Sequence, residues 1–267
     1  MEKLVIIPTY NEKDNISTIL LAIFSLDQGF HVLVIDDNSP DGTADIVRKL
    51  QVKYPGLLYL EERKGKLGLG TAYIHGFKWG LEKGYQYIFE MDADFSHNPG
   101  DLQRLYEVCK YEEADVVVGS RYVYGGGFVD WPRNRIALSK GASLYARMIL
   151  WMPVKDTTAG FVCYHRRVLD AINMDQIRFV GYAFQIEMKF VAWKLGFRIK
   201  EVPIIFRDRT NGTSKMNKGI VKEGILGVLK LRLYSIFTHY RKRVKKTVSY
   251  TMQHDQLTNQ KIVAETK

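Results

Sequence analysis

Tyr87-Ile88-Phe89-Glu90-Met91-Asp92-Ala93-Asp94 decides the fold, because the stretch indicates a buried β-strand that ends in two carboxylates. Its first five residues are mostly apolar and strand-forming. Two acidic side chains at the end of a core strand are costly unless a positive charge meets them. Mg²⁺ or Mn²⁺ would supply that charge, since such ions prefer oxygen ligands and commonly take one or two carboxylates together with substrate phosphates. The alternative is that Asp92 and Asp94 cap the helix predicted to begin near Pro99.

Short apolar runs on both sides of this stretch predict further strands. The predicted strands lie at residues 3–8, 32–35, 57–60, 87–91 and 115–119, with two more near 162–165 and 199–206. Helical periodicity fills the segments between the first five. Five strands that alternate with helices predict an α/β fold with a doubly wound, mostly parallel sheet. Pro203 interrupts the last predicted strand, which indicates a position at the edge of the sheet.

Polar loops follow three of these strands. Residues 8–12 read Pro-Thr-Tyr-Asn-Glu, residues 36–43 read Asp-Asp-Asn-Ser-Pro-Asp-Gly-Thr, and residues 92–94 close the stretch quoted above. In a doubly wound sheet, ligands bind outside the carboxyl ends of the strands. Helix capping alone does not explain three polar loops at one edge, so we expect a ligand site there. A basic, glycine-rich segment at residues 63–72 also favours phosphate, although such segments are often ordinary loops.

The charge of the chain is concentrated near its C-terminus. The 267 residues carry a formal net charge of +10, and residues 215–246 contain ten Lys/Arg and one acid. The rest of the chain is therefore nearly neutral, which argues against a general polyanion-binding surface and for one local anionic partner.

The remaining composition indicates a cytosolic globular protein. Hydrophobic residues make up 46% of the chain, which is enough for a sizeable core. Cys109 and Cys163 lie in apolar or helical contexts and are expected to be reduced thiols. We expect no signal peptide, because the first residues lead directly into a strand. We expect no transmembrane helix, because no apolar run reaches the roughly 20 residues that one needs.

Residues 216–246 combine an amphipathic helix with a basic run. Apolar residues between positions 220 and 237 alternate with Lys and Arg, and Arg241-Lys242-Arg243 and Lys245-Lys246 follow. This pattern predicts a helix that lies in a membrane surface and faces anionic lipid. The alternative is a helix packed on the sheet with a solvated tail. The helix predicted after residues 131–135 is likewise either a core helix or a lipid-facing one. Residues 247–267 are polar and are expected to be disordered.

Taken in order, the motifs resemble those of glycosyltransferase family 2, which has the GT-A fold, and in particular its dolichyl-phosphate (polyprenyl-phosphate) β-mannosyltransferases. The matching segments are residues 8–12, 36–43, 66–72 and 92–94, followed by Arg209 and Ser214-Lys215. An Asp-x-Asp motif alone is common, whereas the combination of these segments is specific. The resemblance runs from residue 4 to about residue 215, and it implies a GT-A catalytic domain over residues 1–215 with no second independent domain.

The resemblance implies the reaction. Mannose would pass from GDP-mannose to the phosphate of a membrane polyprenol such as dolichol, with inversion, giving polyprenyl phosphate β-mannose and GDP. The implied cofactor is Mg²⁺ or Mn²⁺. A polyprenyl-phosphate glucosyltransferase that uses UDP-glucose is the close alternative. A more distant alternative is a non-catalytic module that binds membranes or nucleic acid. The basic segment lacks interleaved aromatic residues, so we expect no nucleic-acid partner.

The resemblance also implies a nucleotide site. Pro8, Tyr10 and Glu12 would contact the nucleoside, with Ile35 and Asp37 beside the base or ribose.

Further residues would serve the diphosphate and the sugar. Asp92, Ala93 and Asp94 would hold the diphosphate through the metal, with Asp94 as the main metal ligand and Asp92 as the second. Three cations would face the donor or acceptor phosphates and, with Asp94, form the expected catalytic set; they are Arg121, Arg209 and Lys215. Gln185 and Glu187 lie in a Phe-Gln-x-Glu-Met segment that the family places near the sugar.

The sequence departs from some relatives in two ways. Ser96 stands where some relatives have a Gln that helps to hold the metal. Some relatives carry C-terminal transmembrane helices, and short eukaryotic forms rely on small membrane partner subunits. In this chain the segment 216–246 is expected to take over that role. The protein is accordingly expected to lie peripherally on the cytoplasmic face of a membrane.

Overall fold

The computed structural model of the protein describes residues 1–181, 183–208 and 218–238. The strands within this part of the chain are β1 Lys3–Thr9, β2 Phe30–Asp36, β3 Leu58–Glu62, β4 Tyr87–Glu90, β5 Val116–Ser120, β6 Gly127–Val129, β7 Val162–His165, β8 Ile199–Pro203 and β9 Ile205–Arg207. The helices are α1 Lys13–Phe24, α2 Thr43–Lys53, α3 Leu69–Glu82, α4 Asp101–Tyr111, α5 Arg133–Leu150, α6 Arg166–Ala171, α7 Ala183–Lys194 and α8 Lys218–Phe237.

Seven strands form one mostly parallel sheet, as the sequence predicts, and their order is β3-β2-β1-β4-β7-β5-β8. Strands β1, β2, β3 and β4 are parallel to one another, and β5 is parallel to β8. Strand β7 runs antiparallel between β4 and β5. The sequence predicts this strand but not its place or direction. Strand β8 is the last in the order and ends at Pro203, which confirms the predicted edge position.

Helices cover both faces of the sheet, so its central strands are apolar on both sides. In β1, Val5 and Ile7 pack into one apolar cluster, with α1, α2 and α4, while Leu4 and Ile6 pack into another, with α3, α6 and α7. All four side chains are fully buried. Burying one such side chain contributes about 1.5–3 kcal/mol. Continuous apolar runs are typical of parallel sheets enclosed in this way.

Glycines let α3 lie unusually close to the sheet. A Cβ atom at Gly76 would lie 2.8 Å from Ile6, and one at Gly80 would lie 2.8 Å from Leu4. Each glycine costs a helix about 1 kcal/mol relative to alanine. The packing of α3 on β1 offsets this cost, because larger residues at these positions would hold the helix away from the core.

Helices α5 and α8 form an outer layer on α7. Val228 and Leu231 of α8 pack with Phe190 of α7 in a third apolar cluster. Other apolar side chains of the two helices remain exposed, including Leu233 at 59% and Phe237 at 81%. Each helix therefore has one packed side and one exposed apolar side. No helix in the described residues has both the length and the apolarity to cross a bilayer. Residues 239–267, with the basic run and the predicted disordered tail, lie outside the described part.

Candidate active site

The three polar loops meet at one edge of the sheet, as the sequence predicts. Strands β2, β1 and β4 are adjacent and parallel, so their carboxyl ends lie side by side. Main-chain N–H groups of the first loop donate to the second: Asn11 N lies 3.0 Å from Ser39 Oγ, and Glu12 N lies 3.1 Å from Thr43 Oγ1. The two loops therefore act as one wall of the site.

Of the two neighbouring acids after β2, Asp36 has a structural role. It is fully buried and accepts hydrogen bonds from Thr9 Oγ1 at 2.8 Å, Ser39 N at 2.8 Å and Ser39 Oγ at 2.6 Å. These bonds satisfy both carboxylate oxygens and fix the turn of the second loop. Asp36 is thus not available to a ligand in this arrangement.

Asp37 forms a buried ion pair with Arg63. Arg63 Nε lies 2.6 Å from Asp37 Oδ1, and Arg63 Nη1 donates to Thr71 Oγ1 at 2.8 Å. The ammonium of Lys66 lies 4.7 Å from the ring centre of Tyr10. The basic segment after β3 is thereby tied to the first two loops. The sequence places these cations in a phosphate-favouring loop, but it does not predict the pairing with Asp37.

The other predicted nucleoside contacts differ in their exposure. Pro8, Tyr10 and Glu12 are half-buried at the edge of the sheet. Ile35, by contrast, is fully buried in the core beneath α3, where its Cδ1 approaches Gly76. The side chain of Ile35 therefore faces the core, and only its main chain is placed to reach a nucleoside.

Asp92 and Asp94 follow β4 directly and do not cap α4. Asp94 is 7% exposed and its Oδ1 accepts the Ser96 N–H at 3.1 Å, while Asp92 is half-buried. Helix α4 begins at Asp101 without a side-chain cap, so the capping alternative is wrong. Ala93 between the acids is buried in the core.

The donor set at this position suits a magnesium or manganese ion held jointly with a substrate. Among the described residues no group of three or more His, Cys, Asp or Glu is placed to hold a metal. Mg²⁺ needs no such cage, because it usually takes one or two carboxylates and completes its shell with water and phosphate. Asp92 and Asp94 fit that requirement.

His97, three residues after Asp94, lies in an aromatic environment. Its ring stacks on Phe161 with 5.0 Å between ring centres and meets Phe206 edge-on at 5.5 Å. Burial lowers the pKa of His97 to about 4, so the imidazole is neutral at pH 7. The ring therefore acts as a packing element beneath the acidic loop.

Arg121, predicted to face phosphates, is paired with a buried carboxylate. Its Nε and Nη2 each lie 2.7 Å from an oxygen of Asp156, and its main-chain N donates to the same side chain at 2.9 Å. Asp156 is fully buried and Arg121 is 8% exposed. Arg121 does lie at the carboxyl end of β5, on the same edge as Asp94, but its guanidinium is already paired.

Helix α7 places Gln185 beside Asp92 and turns Glu187 away. Gln185 is 2% exposed, and its Nε2 and Asp92 Oδ2 approach the same glycine, Gly160. Glu187 Oε2 instead accepts the main-chain N–H groups of Arg178 and Phe179 at 2.9 and 3.0 Å. Glu187 thus holds the turn before α7.

The glycines of the basic segment make room for the protein chain itself. Gly70 N donates to Val180 O at 2.8 Å, and a Cβ atom at Gly70 would lie 2.8 Å from both Phe179 O and the Phe184 ring. The turn before α7 therefore packs directly against Gly70. The predicted phosphate contacts Arg209 and Lys215 lie outside the described residues.

Comparison with known proteins places this geometry in a family. The model of glycosyl transferase family 2 matches residues 4–172. The chain is 43% identical over 225 residues to the polyprenol monophosphomannose synthase of Mycolicibacterium smegmatis, covering 84% of each protein. It is 44% identical over 244 residues to the undecaprenyl-phosphate mannosyltransferase of Micrococcus luteus, covering 91% of this chain and 99% of the relative.

Solved structures share the fold at low sequence identity. The glucosyl-3-phosphoglycerate synthase of Mycobacterium tuberculosis, solved with UDP, gives a TM-score of 0.62 at 16% identity and covers 86% of this chain and 80% of its own. A mannosyltransferase of Pyrobaculum calidifontis, solved with GDP-Man and Mn²⁺, gives a TM-score of 0.53 at 17% identity and covers 98% of this chain and 79% of its own. With its strand-end acids on a GT-A sheet, the chain belongs to glycosyltransferase family 2 and is a glycosyltransferase.

Proposed function

We propose that this enzyme transfers mannose from GDP-mannose to the phosphate of a polyprenyl lipid of the dolichol or undecaprenol kind. A phosphate oxygen of the lipid attacks C1 of mannose while the bond from C1 to the diphosphate breaks, so the products are polyprenyl phosphate β-mannose and GDP. Attack from the face opposite the leaving group inverts the configuration at C1. The observation that carries the proposal is the meeting of Asp37, Asp92 and Asp94 at one sheet edge, in a chain that is 43–44% identical to two relatives named for polyprenyl-phosphate mannosylation.

Charge stabilisation is the main chemical requirement of this reaction. The leaving GDP gains negative charge. Asp94 and Asp92 are the residues that would hold Mg²⁺ or Mn²⁺, which would supply the compensating positive charge. The lipid phosphate is already anionic at pH 7, so the reaction needs no strong general base. We assign no residue as the base.

The remaining predicted contacts fit around the donor. The nucleoside side of the site is lined by Pro8, Tyr10 and Glu12. The ion pair between Asp37 and Arg63 holds the loops at the base of this side together.

The phosphate-facing cations form a second group. Arg121 is placed at the diphosphate end of the site, where a phosphate must share its guanidinium with Asp156. Arg209 and Lys215 complete this group in our proposal.

The acceptor is a lipid, and the exposed apolar sides of α5 and α8 provide a surface for it. We call this surface the α5–α8 face and define it by the exposed residues Leu138, Leu144, Met148, Trp151, Ile225, Leu226, Leu229, Leu233, Tyr234, Ile236 and Phe237. Arg232 lies 4.5 Å from the ring centre of Trp151, so a cation accompanies the apolar side chains. Apolar side chains bordered by cations are typical of helices that lie in an anionic membrane surface. We infer peripheral association with the cytoplasmic face of a membrane, and small membrane partner subunits remain candidate partners of the same face.

A direct test is transfer of labelled sugar to lipid. The protein is incubated with Mg²⁺ or Mn²⁺, sugar-labelled GDP-mannose and polyprenyl phosphate in detergent, and label is counted in the organic phase. Label in the lipid that is released as β-linked mannose supports the proposal. If label from GDP-mannose stays in the aqueous phase and label from UDP-glucose passes to the lipid, the protein is a glucosyltransferase instead.

Asp94→Asn tests the metal site. It is expected to lower turnover at least 100-fold, because the metal-bound diphosphate loses its main anchor. Asp45→Asn is the matched control, since Asp45 is an exposed acid on α2 that pairs only with Arg48 at 2.5 Å. Equal activity of the two variants would remove Asp94 from the site.

Flotation with liposomes that contain anionic lipid tests the α5–α8 face. Trp151→Ser and Leu233→Ser are expected to reduce the floating fraction, because both residues are largely exposed apolar groups of that face. Tyr111→Ser is the control, because Tyr111 is 69% exposed on α4, on the opposite side of the sheet. An equal loss in all three variants would contradict a specific membrane face.

A further inference from the structure

The turn before α7, residues 177–181, lies between helix α8 and the basic, glycine-rich segment. Its main chain is held by Glu187, which accepts the N–H groups of Arg178 and Phe179. Phe179 is half-buried and packs against two apolar clusters, whereas Arg178 and Val180 are exposed. The position of the turn therefore depends on the neighbours on its two sides.

Helix α8 holds one side of the turn through two contacts. A Cβ atom at Gly227 would lie 3.0 Å from Cε1 of Phe179, so the glycine lets the helix approach this ring closely. The guanidinium carbon of Arg178 lies 3.7 Å from the ring centre of Tyr234, which is a cation–π contact. Gly227 and Tyr234 are about two helical turns apart and thus lie on the same side of α8.

The other side of the turn holds the basic, glycine-rich segment. Gly70 N donates to Val180 O at 2.8 Å, and a Cβ atom at Gly68 would lie 3.0 Å from the same oxygen. Gly68 also has a φ of +102°, which a residue with a side chain rarely adopts. The segment therefore follows the turn closely, and a displaced turn would displace both glycines.

The segment in turn contacts the acid that we expect beside the nucleoside. Gly68 O accepts hydrogen bonds from Thr71 Oγ1 at 2.7 Å and from Arg63 Nη2 at 3.4 Å. Leu67 N lies 3.4 Å from Asp37 Oδ2, and Arg63 is the ion-pair partner of Asp37. The position of Gly68 thus affects the arrangement of Arg63 and Asp37. A continuous series of contacts joins α8 to this side of the site.

Tyr234 is also part of the α5–α8 face. It is 42% exposed, on the side of α8 that we assign to the lipid surface. Binding of that face to a membrane removes water from around Tyr234 and Arg178, and a cation–π contact is stronger when it is desolvated. The observed position of the turn, and with it the arrangement of Asp37, is therefore favoured on the membrane.

We propose that Arg178 is a positioning residue that couples the α5–α8 face to the nucleotide site, so that binding of this face to an anionic lipid surface raises the affinity of the site for a nucleoside diphosphate. Arg178 acts through the turn and Gly70, not by contact with the nucleotide. The proposal rests on the proposed function, which supplies both the lipid surface and the nucleotide. Since such a coupling is reciprocal, the nucleotide also raises the affinity for the lipid surface.

The first test measures the positioning role in solution. The dissociation constant of GDP is determined by calorimetry with Mn²⁺. Arg178→Ala is expected to weaken GDP binding about threefold, as for loss of one partly exposed cation–π contact, and Arg178→Lys is expected to restore most of it, because an ammonium group also binds an aromatic ring. The control is Lys83→Ala, since Lys83 lies 5.7 Å from the ring centre of Trp79 at the end of α3 remote from Gly70.

A second variant removes the other member of the contact. Tyr234→Leu keeps an apolar side chain on the α5–α8 face but has no ring for the guanidinium. It is expected to weaken GDP binding as much as Arg178→Ala does. The double variant is expected to lose no more than either single variant, because both substitutions break one contact.

The third test adds the lipid surface. Vesicles of phosphatidylcholine and phosphatidylglycerol in equal parts, without polyprenyl phosphate, are supplied at a concentration at which each protein floats completely. The wild-type protein is expected to bind GDP about fivefold more tightly with these vesicles than in solution, whereas Arg178→Ala is expected to show no change. Vesicles of phosphatidylcholine alone are expected to have no effect. At limiting lipid, GDP is expected to raise the floating fraction of the wild-type protein only.

The outcomes separate this role from a merely structural one and from the proposed function. An Arg178→Ala variant that has a lower melting temperature but binds GDP as the wild-type protein does overturns the inference alone. So does a wild-type protein that floats without a change in GDP affinity. If the wild-type protein binds UDP and not GDP, the proposed donor is wrong, and the same measurements with UDP decide the coupling. Binding of neither nucleotide by the wild-type protein overturns both.

Discussion

Asp156→Asn is expected to be among the most damaging single substitutions in the described structure. Asp156 is fully buried, and its two oxygens accept three hydrogen bonds from Arg121, at 2.7, 2.7 and 2.9 Å. Asn keeps the shape of the side chain but replaces one acceptor with an NH₂ donor that points at the guanidinium. Arg121, which is 8% exposed, stays charged and loses its counter-charge.

The magnitude follows from the burial of the pair. Removing one partner of a buried ion pair costs about 3–5 kcal/mol, because the other charge remains buried and uncompensated. Such a loss is a large part of the roughly 5–15 kcal/mol that stabilises a typical domain. It corresponds to a fall in Tm of about 10 °C for a domain of this size. Arg121→Met is expected to cost a similar amount, since it leaves the Asp156 carboxylate unpaired.

Denaturant unfolding of the single and double variants measures these terms. The double variant Asp156→Asn/Arg121→Met is expected to lose clearly less than the sum of its single variants, because no unpaired charge remains. Asp175→Asn is the control, because the side chain of Asp175 is 80% exposed in its ion pair with Lys78 and its loss is expected to cost less than about 1 kcal/mol. The reasoning is refuted if Asp156→Asn costs no more than the control, or if the two single losses simply add.

Three other predictions concern other parts of the molecule. Gly70→Ala is expected to lower the free energy of unfolding by about 1–3 kcal/mol, because its Cβ would lie 2.8 Å from main-chain atoms. Gly65→Ala is the control and should change this free energy by less than about 0.5 kcal/mol, because a Cβ there meets nothing within 4 Å. Equal losses in the two variants would contradict the packing argument. Burial lowers the pKa of His97 to about 4 from 6.5, so the folded state resists protonation and loses stability as the pH falls below 6.5. The free energy of unfolding should be about 2 kcal/mol lower at pH 5 than at pH 7. His97→Phe should not show this difference. Arg63→Met is expected to weaken GDP binding about 10- to 100-fold in calorimetry, because Asp37 loses the buried guanidinium whose Nε lies 2.6 Å from its Oδ1. Unchanged binding would mean that the nucleoside binds elsewhere.

The parallel part of the sheet could be predicted because each of its strands is a local pattern. Residues 3–8, 32–35 and 115–119 are apolar on both faces, which is typical of strands buried between helix layers. Pro203 marks the edge for an equally local reason, since it has no N–H to donate. The place of β7 is not local. Four residues from Val162 to His165 indicate a strand, but only its pairing with β4 and β5 sets its direction.

The candidate site likewise has a part that local sequence patterns predict and a part that they do not. The acids after β2 and β4 could be assigned to one edge because parallel strands present their carboxyl ends together. The partners of Asp37, Arg121 and Lys189 lie 26, 35 and 30 residues away along the chain, and no periodic pattern connects them. Lys189 follows Gln185 and Glu187 at alternate positions of α7, so the sequence pattern does not distinguish its buried side chain from an exposed one. A lysine at a core position of a helix calls for acceptors that the helix alone does not supply.

The reversed direction of β7 explains how the site is completed. In a purely parallel sheet, the carboxyl edge receives only the loops that follow strands. Val162, the first residue of β7, pairs with Glu90 at the end of β4, so the loop that precedes β7 reaches the same edge. That loop brings Asp156 to Arg121 and Ala159 to Lys189, and it leaves Gly160 beside Asp92. A β7 that ran parallel to β4 would carry this loop to the opposite edge, and the acids of the quoted stretch would lose the neighbours that make them a site.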